Sequence, residues 1–354
     1  KGHHCCVVVN EKEFAGKLLT SAGIDHIIVG FNQKGVLRKS VQLGVLLLKT
    51  LLISLRFKPD LVFGQAVPHI GYTAFLLGKP FIVFEDTEVS RILHRLVHPF
   101  ANAIVTPDSF KKPLGRRQIT IHGGFEWAYL HENRFRPDMR ICEAVNLAPG
   151  ERLVILGLVA GHALHDLGQG SSRGLTGENR IRAVSAFEKH ARVFISSEGP
   201  LPDELASRRY SLAPETMHHA MYFADLVYGE SASMAAEAAC LGTPAIYLDN
   251  DGRGYTDDLE KRYGLVFNFT ESLEDQERSI EKGCDILIKN NPDTWKERHR
   301  ELLDDAVDMS AFMIWFIENY PESQKRMQQG CGVRCRRRRR KGPADESAAV
   351  GKRS

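Results

Sequence analysis

The sequence lacks both a long apolar run and a regular cysteine pattern. No window of the 354-residue chain reaches about 18 uncharged apolar residues, so a membrane-spanning helix is not expected. The seven cysteines follow no framework spacing, which favours a reducing, cytoplasmic setting over a secreted disulfide scaffold. Cys331 and Cys335 have no second pair at zinc-ligand spacing, so we predict no metal there. No secretory signal is recognisable.

The positive net charge belongs to the end of the chain. From Lys325 onward there are 11 Lys+Arg and 2 Asp+Glu, so residues 1–324 carry −6 although the whole chain carries +3. The run Arg336–Arg340 cannot build a core, and we predict a disordered basic tail over 325–354. No aromatic residue stands among these arginines to stack on bases, and nucleic acid is therefore not an expected partner.

Short apolar runs alternate with segments of helical length, a rhythm typical of parallel sheets with helices on both faces. The sequence therefore predicts an α/β protein with two Rossmann-like, doubly wound domains. The predicted strands are Cys5–Val9, Asp60–Phe63, Pro80–Phe84, Ala103–Thr106, Gln118–His122, Arg152–Leu158, Arg192–Ser196, Leu226–Gly229 and Ala245–Leu248.

The stretch Asn146–Glu151 breaks this pattern and predicts a domain boundary. A late helix is expected over about Thr294–Ala311, and the apolar segment after it should pack on the core and cross back to the first domain. Because a strand follows Lys1 almost at once, we expect the first domain to lack its opening strand and helix. The predicted units are an acceptor or sugar domain at 1–146, a nucleotide-sugar domain at 147–311, a packing segment at 312–324 and the tail at 325–354.

The segment Leu43–Leu55 is apolar and has basic residues on both sides. It is too short to span a bilayer. Two interpretations stay open: a buried crossover helix with solvated ends, or a basic amphipathic helix over 38–58 that lies on an anionic membrane surface.

A helix with two serines at its start and a lone acid is predicted between the strands that end at Gly229 and begin at Ala245. Unpaired N–H groups at such a start, with the Ser231 and Ser233 hydroxyls, can bind a diphosphate, and Ala232 leaves room for it. Glu237 lies on the same face and can accept hydrogen bonds from vicinal ribose hydroxyls. The alternative is that the serines only cap the helix. Capping does not explain an acid in a segment expected to be buried.

This region resembles the prokaryotic proteins called domain of unknown function 354. The resemblance covers most of residues 1–326. It is carried by Gly229–Ala245, Phe81–Glu88, Tyr129–Asp138, His165–Gly168, Pro214–His218 and Arg253–Glu260.

That family is similar in turn to nucleotide-sugar enzymes of the two-domain GT-B type, including the non-hydrolysing UDP-N-acetylglucosamine 2-epimerases. In those epimerases a serine opens the phosphate-binding helix and a glutamate six residues later holds the ribose, a spacing that Ser231 and Glu237 match. The resemblance implies a UDP-sugar substrate, no tightly bound cofactor or metal, and an acceptor that is lipid-linked or a glycan. It also implies a place in surface polysaccharide or glycoconjugate biosynthesis.

Two further groups of residues could carry the chemistry. His165 and Asp166 follow the first strand of the second domain, where His165 could act as acid or base. Glu85 and Asp86 end a strand of the first domain, and Glu85 is the first candidate for the general base, with Asp86 as substitute. Crowding of acids there should raise at least one pKa. Helix capping or a purely structural loop are the alternatives.

His218 and Arg253 are secondary candidates for the nucleotide site. His218 precedes the serine-bearing helix, and Arg253 follows the next strand, where a planar guanidinium could pair with phosphate. Both could equally be solvated loop residues. Asp249 and Asp251 form a D-x-D pattern, a weak indication of a metal in this setting.

We therefore expect a glycosyltransferase-like enzyme with its active site between two domains. A UDP-N-acetylglucosamine 2-epimerase-like enzyme is the first alternative, and a nucleotide-sugar-binding protein without catalysis is the second. The residues do not indicate the sugar, the acceptor or the oligomeric state.

Overall fold

A computed structural model of the chain describes residues 2–11, 15–31, 36–88, 91–159, 174–197, 199–289 and 291–329. In these ranges helices alternate with parallel strands, which confirms the predicted α/β class. We call residues 2–146 the first half of the chain and residues 147–329 the second half.

In the first half, apolar runs form the strands and longer amphipathic segments form the helices. The elements are β1 Val7–Glu11, α1 Ala15–Ser21, β2 His26–Phe31, α2 Val36–Phe57, β3 Val62–Gly64, α3 Pro68–Leu76, β4 Phe81–Phe84, α4 Arg91–Val97, a 3-10 helix His98–Phe100, β5 Ala103–Pro107, β6 Gln118–Ile121, α5 Trp127–Leu130 and α6 Arg140–Ala144.

The second half repeats the alternation. Its strands and helices are β7 Leu153–Leu158, α7 Gly177–Phe187, β8 Arg192–Ser197, α8 Asp203–Ala206, a 3-10 helix Pro214–Thr216, α9 Met217–Tyr222, β9 Leu226–Gly229, α10 Ala232–Cys240, β10 Ala245–Leu248, α11 Gly254–Asp258, a π-helix Leu259–Tyr263, β11 Val266–Phe269, α12 Leu273–Lys289, α13 Pro292–Asp305, α14 Met309–Glu318 and α15 Glu322–Gln328.

All strands in the described ranges pair in parallel. In the first half β1 pairs with β2, and a separate sheet has the order β3-β4-β5-β6. The sheet of the second half has the order β11-β10-β9-β7-β8. Every residue of β4, β5, β7, β9 and β10 is buried, as expected for parallel strands that are covered on both faces.

One hydrophobic core runs through both halves. It joins Phe84 and Trp127 of the first half to Ile155, Tyr255 and Phe316 of the second. The C-terminal helices also bond directly to the first half, since Ser310 Oγ donates to the Ala128 carbonyl at 2.6 Å and Gln324 Nε2 to the Asn102 carbonyl at 2.9 Å. These contacts confirm that the end of the chain crosses back.

The predicted late helix over Thr294–Ala311 was wrong in its extent, because the structure breaks it in two. Asp308 caps a new helix by accepting from the Ala311 N–H at 2.9 Å, and it pairs with Arg134 of the first half at 2.6 Å. The ion pair with Arg134 holds Asp308 as the cap of a new helix. Hydrophobic periodicity alone would predict that the preceding helix continues through this position. Residues 322–328 form α15, so a disordered tail does not begin at 325 as predicted. Residues from 330 onward lie outside the described ranges.

Candidate active site between the two halves

The sheet of the second half reverses its strand order between β7 and β9. Chain connections leave these two strands in opposite directions, and ligands of doubly wound sheets bind at the carboxyl ends of the strands at such a point. The two backbones meet tightly here, because a Cβ on Gly229 would lie 2.2 Å from the Gly157 carbonyl oxygen. The φ of 147° at Gly229 also lies in a region that favours glycine.

Helix α10 starts at this switch point, as the sequence predicts. Ser231 is its N-cap and its Oγ accepts from the Met234 N–H at 3.3 Å, so this hydroxyl caps the helix. The hydroxyl of Ser233 lies near the phenol of Tyr255. The N–H groups of Ala232 and Ser233 precede the first intrahelical bond and point out of the helix end. The backbone of α10 is therefore the main anion donor that the structure offers here.

Glu230 fixes the entry to α10 and was missed by sequence reasoning. Its buried carboxylate pairs with the Arg180 guanidinium at 3.0 Å. It also accepts from the N–H groups of Leu175 at 2.8 Å and Val159 at 3.2 Å. One acid thus connects β7, the approach to α7 and the start of α10. Its position at the carboxyl end of a predicted strand was the available signal.

Glu237 lies at the boundary between the halves. Its Oε1 accepts a 2.7 Å hydrogen bond from the Tyr129 hydroxyl of α5 and lies 3.2 Å from His218 Nε2 of α9. Its side chain is 14% exposed. Both contacts use Oε1, which leaves Oε2 with its lone pairs for a ligand. The structure therefore brings together the predicted residues Ser231, Ala232, Ser233, His218 and Glu237.

Arg253 stands beside this group, at the start of α11, which packs against α10. Its guanidinium donates to Asp249 Oδ2 at 3.1 Å and to the Gly252 carbonyl at 2.7 Å. The Tyr247 hydroxyl donates to the same carboxylate at 2.6 Å. Asp249 is therefore occupied by its neighbours, and Arg253 is partly neutralised in this structure.

The adjacent acids Glu85 and Asp86 point in different directions. Glu85 is buried and faces His94 and His98, with Oε2 at 3.5 Å and 3.9 Å from their Nε2 atoms. Asp86 accepts from the Thr87 hydroxyl at 2.8 Å. Burial raises the pKa of Asp86, and the neighbouring Glu85 charge raises it further. The charge of Asp86 acts on Glu126 and on Tyr255 at the boundary between the halves, whereas Glu85 faces the two histidines inside the first half.

Glu126 is a further acid of this boundary that sequence reasoning missed. It follows the glycines after β6 and is 8% exposed. Burial, with smaller effects from Asp86 and Glu237, raises its pKa to about 8. The carboxyl is therefore mostly protonated at neutral pH and can donate a hydrogen bond. The only sequence signal was its place just past the carboxyl end of a predicted strand.

A small cavity of about 30 Å³ opens beside Glu126, lined by residues of both halves. Its walls include Asp108 and Trp127 from the first half and Cys240 and Tyr255 from the second. A pocket of this size admits a water or a small substituent, so a larger ligand would occupy the adjoining boundary near α10. His165 and Asp166 lie outside the described residues.

Parallel α/β sheets in both halves, joined by a shared core, define a fold of the GT-B type, as predicted. A putative UDP-N-acetylglucosamine 2-epimerase from Listeria monocytogenes has a TM-score of 0.62 at 14% identity, over 89% of this chain and 87% of that one. A spinosyn forosaminyltransferase has a TM-score of 0.56 at 13% identity, over 92% of each chain. At these identities the likeness establishes the fold.

A curated relative is more similar in sequence. The chain is 28% identical over 257 residues to the UDP-N-acetylglucosamine--N-acetylmuramyl-(pentapeptide) pyrophosphoryl-undecaprenol N-acetylglucosamine transferase of Thiobacillus denitrificans. The match spans 66% of this chain and 66% of that relative. No family model matches the chain, so the narrower resemblance to the domain of unknown function 354 family stays a prediction.

Proposed function

We propose that this chain is a nucleotide-sugar-dependent glycosyltransferase that works between its two halves. One observation carries the proposal: the start of α10 and Glu237 stand at the switch point of the second sheet, with the acids Asp86 and Glu126 of the first half nearby. The fold and the transferase named above as a relative support the same conclusion.

The second half would hold the nucleotide. The N–H groups of Ala232 and Ser233 and the positive end of α10 suit a diphosphate. Glu237 Oε2 suits one ribose hydroxyl. Oε1 can accept from a second ribose hydroxyl where the ribose displaces the Tyr129 hydroxyl. His218, which touches the same carboxylate, would line the nucleoside.

The first half would supply the base. Asp86 would take the proton of an acceptor hydroxyl, whose oxygen then bonds to the anomeric carbon of the sugar. The bond from that carbon to the diphosphate breaks, and the electron pair leaves with the nucleoside diphosphate. Negative charge that grows on this leaving group lies at the start of α10, where the helix stabilises it. A raised pKa makes Asp86 a stronger base than an ordinary aspartate.

We infer a UDP-sugar as donor and a lipid-linked or glycan acceptor, in surface polysaccharide or glycoconjugate assembly. The Thiobacillus denitrificans relative supports the donor and the lipid-linked acceptor, since that protein is named as a transferase of N-acetylglucosamine from a UDP-sugar to an undecaprenol-linked acceptor. For this chain the test is direct: transfer of labelled sugar from UDP-N-acetylglucosamine to a lipid-linked acceptor, followed by loss of transfer in Asp86→Asn.

We also propose that α2 meets a membrane surface. No described helix has the length and hydropathy to cross a bilayer. One face of α2 nevertheless exposes a stripe at helical spacing, Val41, Val45, Leu48, Leu52 and Leu55. With Arg56 and Lys58 beside it, this face fits an anionic lipid surface. Flotation with anionic vesicles should carry the chain, and Leu48→Glu with Leu52→Glu should abolish it.

A UDP-N-acetylglucosamine 2-epimerase-like reaction is the second candidate. The spacing of Ser231 and Glu237 favours it, and Asp86 and Glu126 provide two carboxyl groups that could move a proton on a sugar ring. Change of a UDP-sugar at its C2 without any acceptor would support this reaction. Turnover that requires an acceptor would support transfer, and binding without turnover would leave a nucleotide-sugar-binding protein.

The nucleotide site is tested by thermal stabilisation. A UDP-sugar should raise the melting temperature of the parent protein, because ligand that binds only the folded state stabilises it. Glu237→Ala should lose most of this shift, whereas Glu274→Ala, an exposed glutamate of α12, should keep it. Retained stabilisation in Glu237→Ala would contradict the proposed site.

A further inference from the structure

Three side chains of the first half converge away from the site described above. Glu85 directly follows β4, His94 lies in α4 and His98 opens the following 3-10 helix. Glu85 Oε2 lies 3.5 Å from His94 Nε2 and 3.9 Å from His98 Nε2. The ligand-type atoms of all three residues lie within 4.8 Å of one another.

The two histidine nitrogens have no hydrogen-bond partner among the described residues. Both Nε2 atoms are buried and unsatisfied, and the side chains of His94 and His98 are only 10% and 11% exposed. Their separations from Glu85 exceed the usual length of an N–H···O hydrogen bond, about 2.7–3.2 Å. A buried polar atom without a partner is costly, so each such atom requires an explanation.

We propose that Glu85, His94 and His98 bind a divalent transition-metal ion of the Zn²⁺ type. Tetrahedral zinc with bonds of about 2.0–2.1 Å holds its ligand atoms about 3.4 Å apart, close to the spacing of Glu85 Oε2 and His94 Nε2. Two imidazoles and one carboxylate form a common ligand set for zinc. An ion would satisfy both orphaned nitrogens at once.

Neighbouring contacts already orient the ligands. Glu85 Oε1 accepts from the Thr87 N–H at 3.1 Å, which leaves Oε2 for the ion. Such outer contacts commonly hold metal ligands in place. The rings of His94 and His98 stack at 4.5 Å between centroids, so they present the same edge to Glu85.

An open groove borders His94 and His98, and an ion could approach the cluster from it. Its walls are His94, Arg95, His98, Pro99, Ile104, Leu114, Arg116 and Arg117. Its arginines oppose the binding of any divalent cation, so an ion must be held by strong ligand bonds. The two imidazole nitrogens favour zinc over Ca²⁺ and Mg²⁺, which prefer oxygen ligands.

The ion would be structural. It would tie the end of β4 to α4 and the 3-10 helix, directly beside Asp86. Since the charge of Asp86 acts on Glu126 and Tyr255 at the boundary, the ion would hold the backbone of the proposed base and would not meet the substrate. This differs from the sequence-based expectation of no metal.

The test is zinc binding to the full chain after removal of metals by a chelator and dialysis. Calorimetry should show that the parent binds one Zn²⁺ more than His98→Gln or Glu85→Gln, and zinc should raise its melting temperature. His190→Gln, a half-buried histidine outside the cluster, should match the parent. Any zinc bound at His3, His4, Cys5 or Cys6 is bound equally by the parent and by every variant. It therefore does not change the difference in stoichiometry.

Equal stoichiometry in the parent and both cluster variants would overturn the proposal. If circular dichroism shows that a variant does not fold, the visible absorption spectrum of Co²⁺ bound to the parent tests the proposal instead. The proposal requires the visible spectrum of tetrahedral Co²⁺ with nitrogen and oxygen ligands. A spectrum that shows only thiolate charge-transfer bands would overturn it.

Discussion

The hydroxyl of Tyr129 donates a 2.7 Å hydrogen bond to Glu237 Oε1, across the boundary between the two halves. The acid proposed to bind ribose is therefore held by the first half before any ligand arrives. Burial, together with the charge of Glu237, raises the pKa of Tyr129, so the phenol keeps its proton and acts as the donor. A ribose hydroxyl could replace that donor with no loss of hydrogen bonds.

This relationship predicts energetic coupling between the halves. We expect Tyr129→Phe and Glu237→Ala each to lower the free energy of unfolding, and the double variant to lower it by less than their sum. The shortfall should be about 0.5–1.5 kcal/mol, the net value of one such hydrogen bond. Urea unfolding of the parent, both single variants and the double variant measures it. Strict additivity would show that the bond does not connect the two halves in solution.

The raised pKa of Glu126 predicts a pH-dependent stability. Below its ordinary pKa of 4.5 the carboxyl is protonated in both states. Between 4.5 and about 8 only the unfolded chain loses the proton, so the parent becomes less stable as pH rises. Glu126→Gln mimics the neutral form and removes this loss.

The expected result is a growing advantage of Glu126→Gln over the parent from pH 5 to pH 8, by up to about 1.4 kcal/mol per pH unit, and a constant difference above. Denaturant unfolding at several pH values measures it, with Glu297→Gln, an exposed glutamate of α13, as control. Parallel stability curves for parent and Glu126→Gln would mean that the carboxyl is ionised in the folded protein.

The positions of most strands follow from the sequence, because buried parallel strands are continuous apolar runs. β9 and β10 have the predicted bounds, Leu226–Gly229 and Ala245–Leu248. β11, Val266–Phe269, was missed because it is an edge strand whose Asn268 breaks the apolar run. β2 was missed although the consecutive β-branched residues Ile27–Val29 are a pattern that predicts a strand.

The site was predictable where topology fixes it. Strand order alone puts the start of α10 at the ligand-binding edge. Helical spacing then places Glu237 on the same face of α10 as the residues at its start. The directions of Glu85 and Asp86 could not be predicted, because consecutive side chains at a strand end point opposite ways and distant partners decide which faces the boundary. For Glu85 those partners are His94 and His98, which no local pattern links to it.

A close backbone contact between the halves predicts the effect of Gly254→Ala. A Cβ on Gly254 of α11 would lie 2.1 Å from the Ser109 carbonyl oxygen and 2.5 Å from Glu88 Oε1. The added methyl must push α11 away from the first half, and we expect a loss of about 1–3 kcal/mol. Gly44→Ala, in an open position of α2, should instead stabilise by about 0.5–1 kcal/mol. Equal effects of the two substitutions in urea unfolding would contradict this packing.

The buried pair of Glu230 and Arg180 predicts a large loss of stability when only one partner is removed. Both side chains are 5% exposed, so Glu230→Ala leaves the Arg180 charge and the Leu175 and Val159 N–H groups without their acceptor. The expected loss is about 3–5 kcal/mol.

Helix α7, which carries Arg180, also provides the matched control. Arg182 pairs with Glu277 at 2.8 Å, but both side chains are more than half exposed. Arg182→Ala should change the free energy of unfolding by no more than about 0.5 kcal/mol, because water screens this pair. Should Glu230→Ala cost as little as Arg182→Ala in chemical unfolding, the buried pair would not anchor the entry to α10. Glu237 would then lack the rigid support that a preorganised nucleotide site requires.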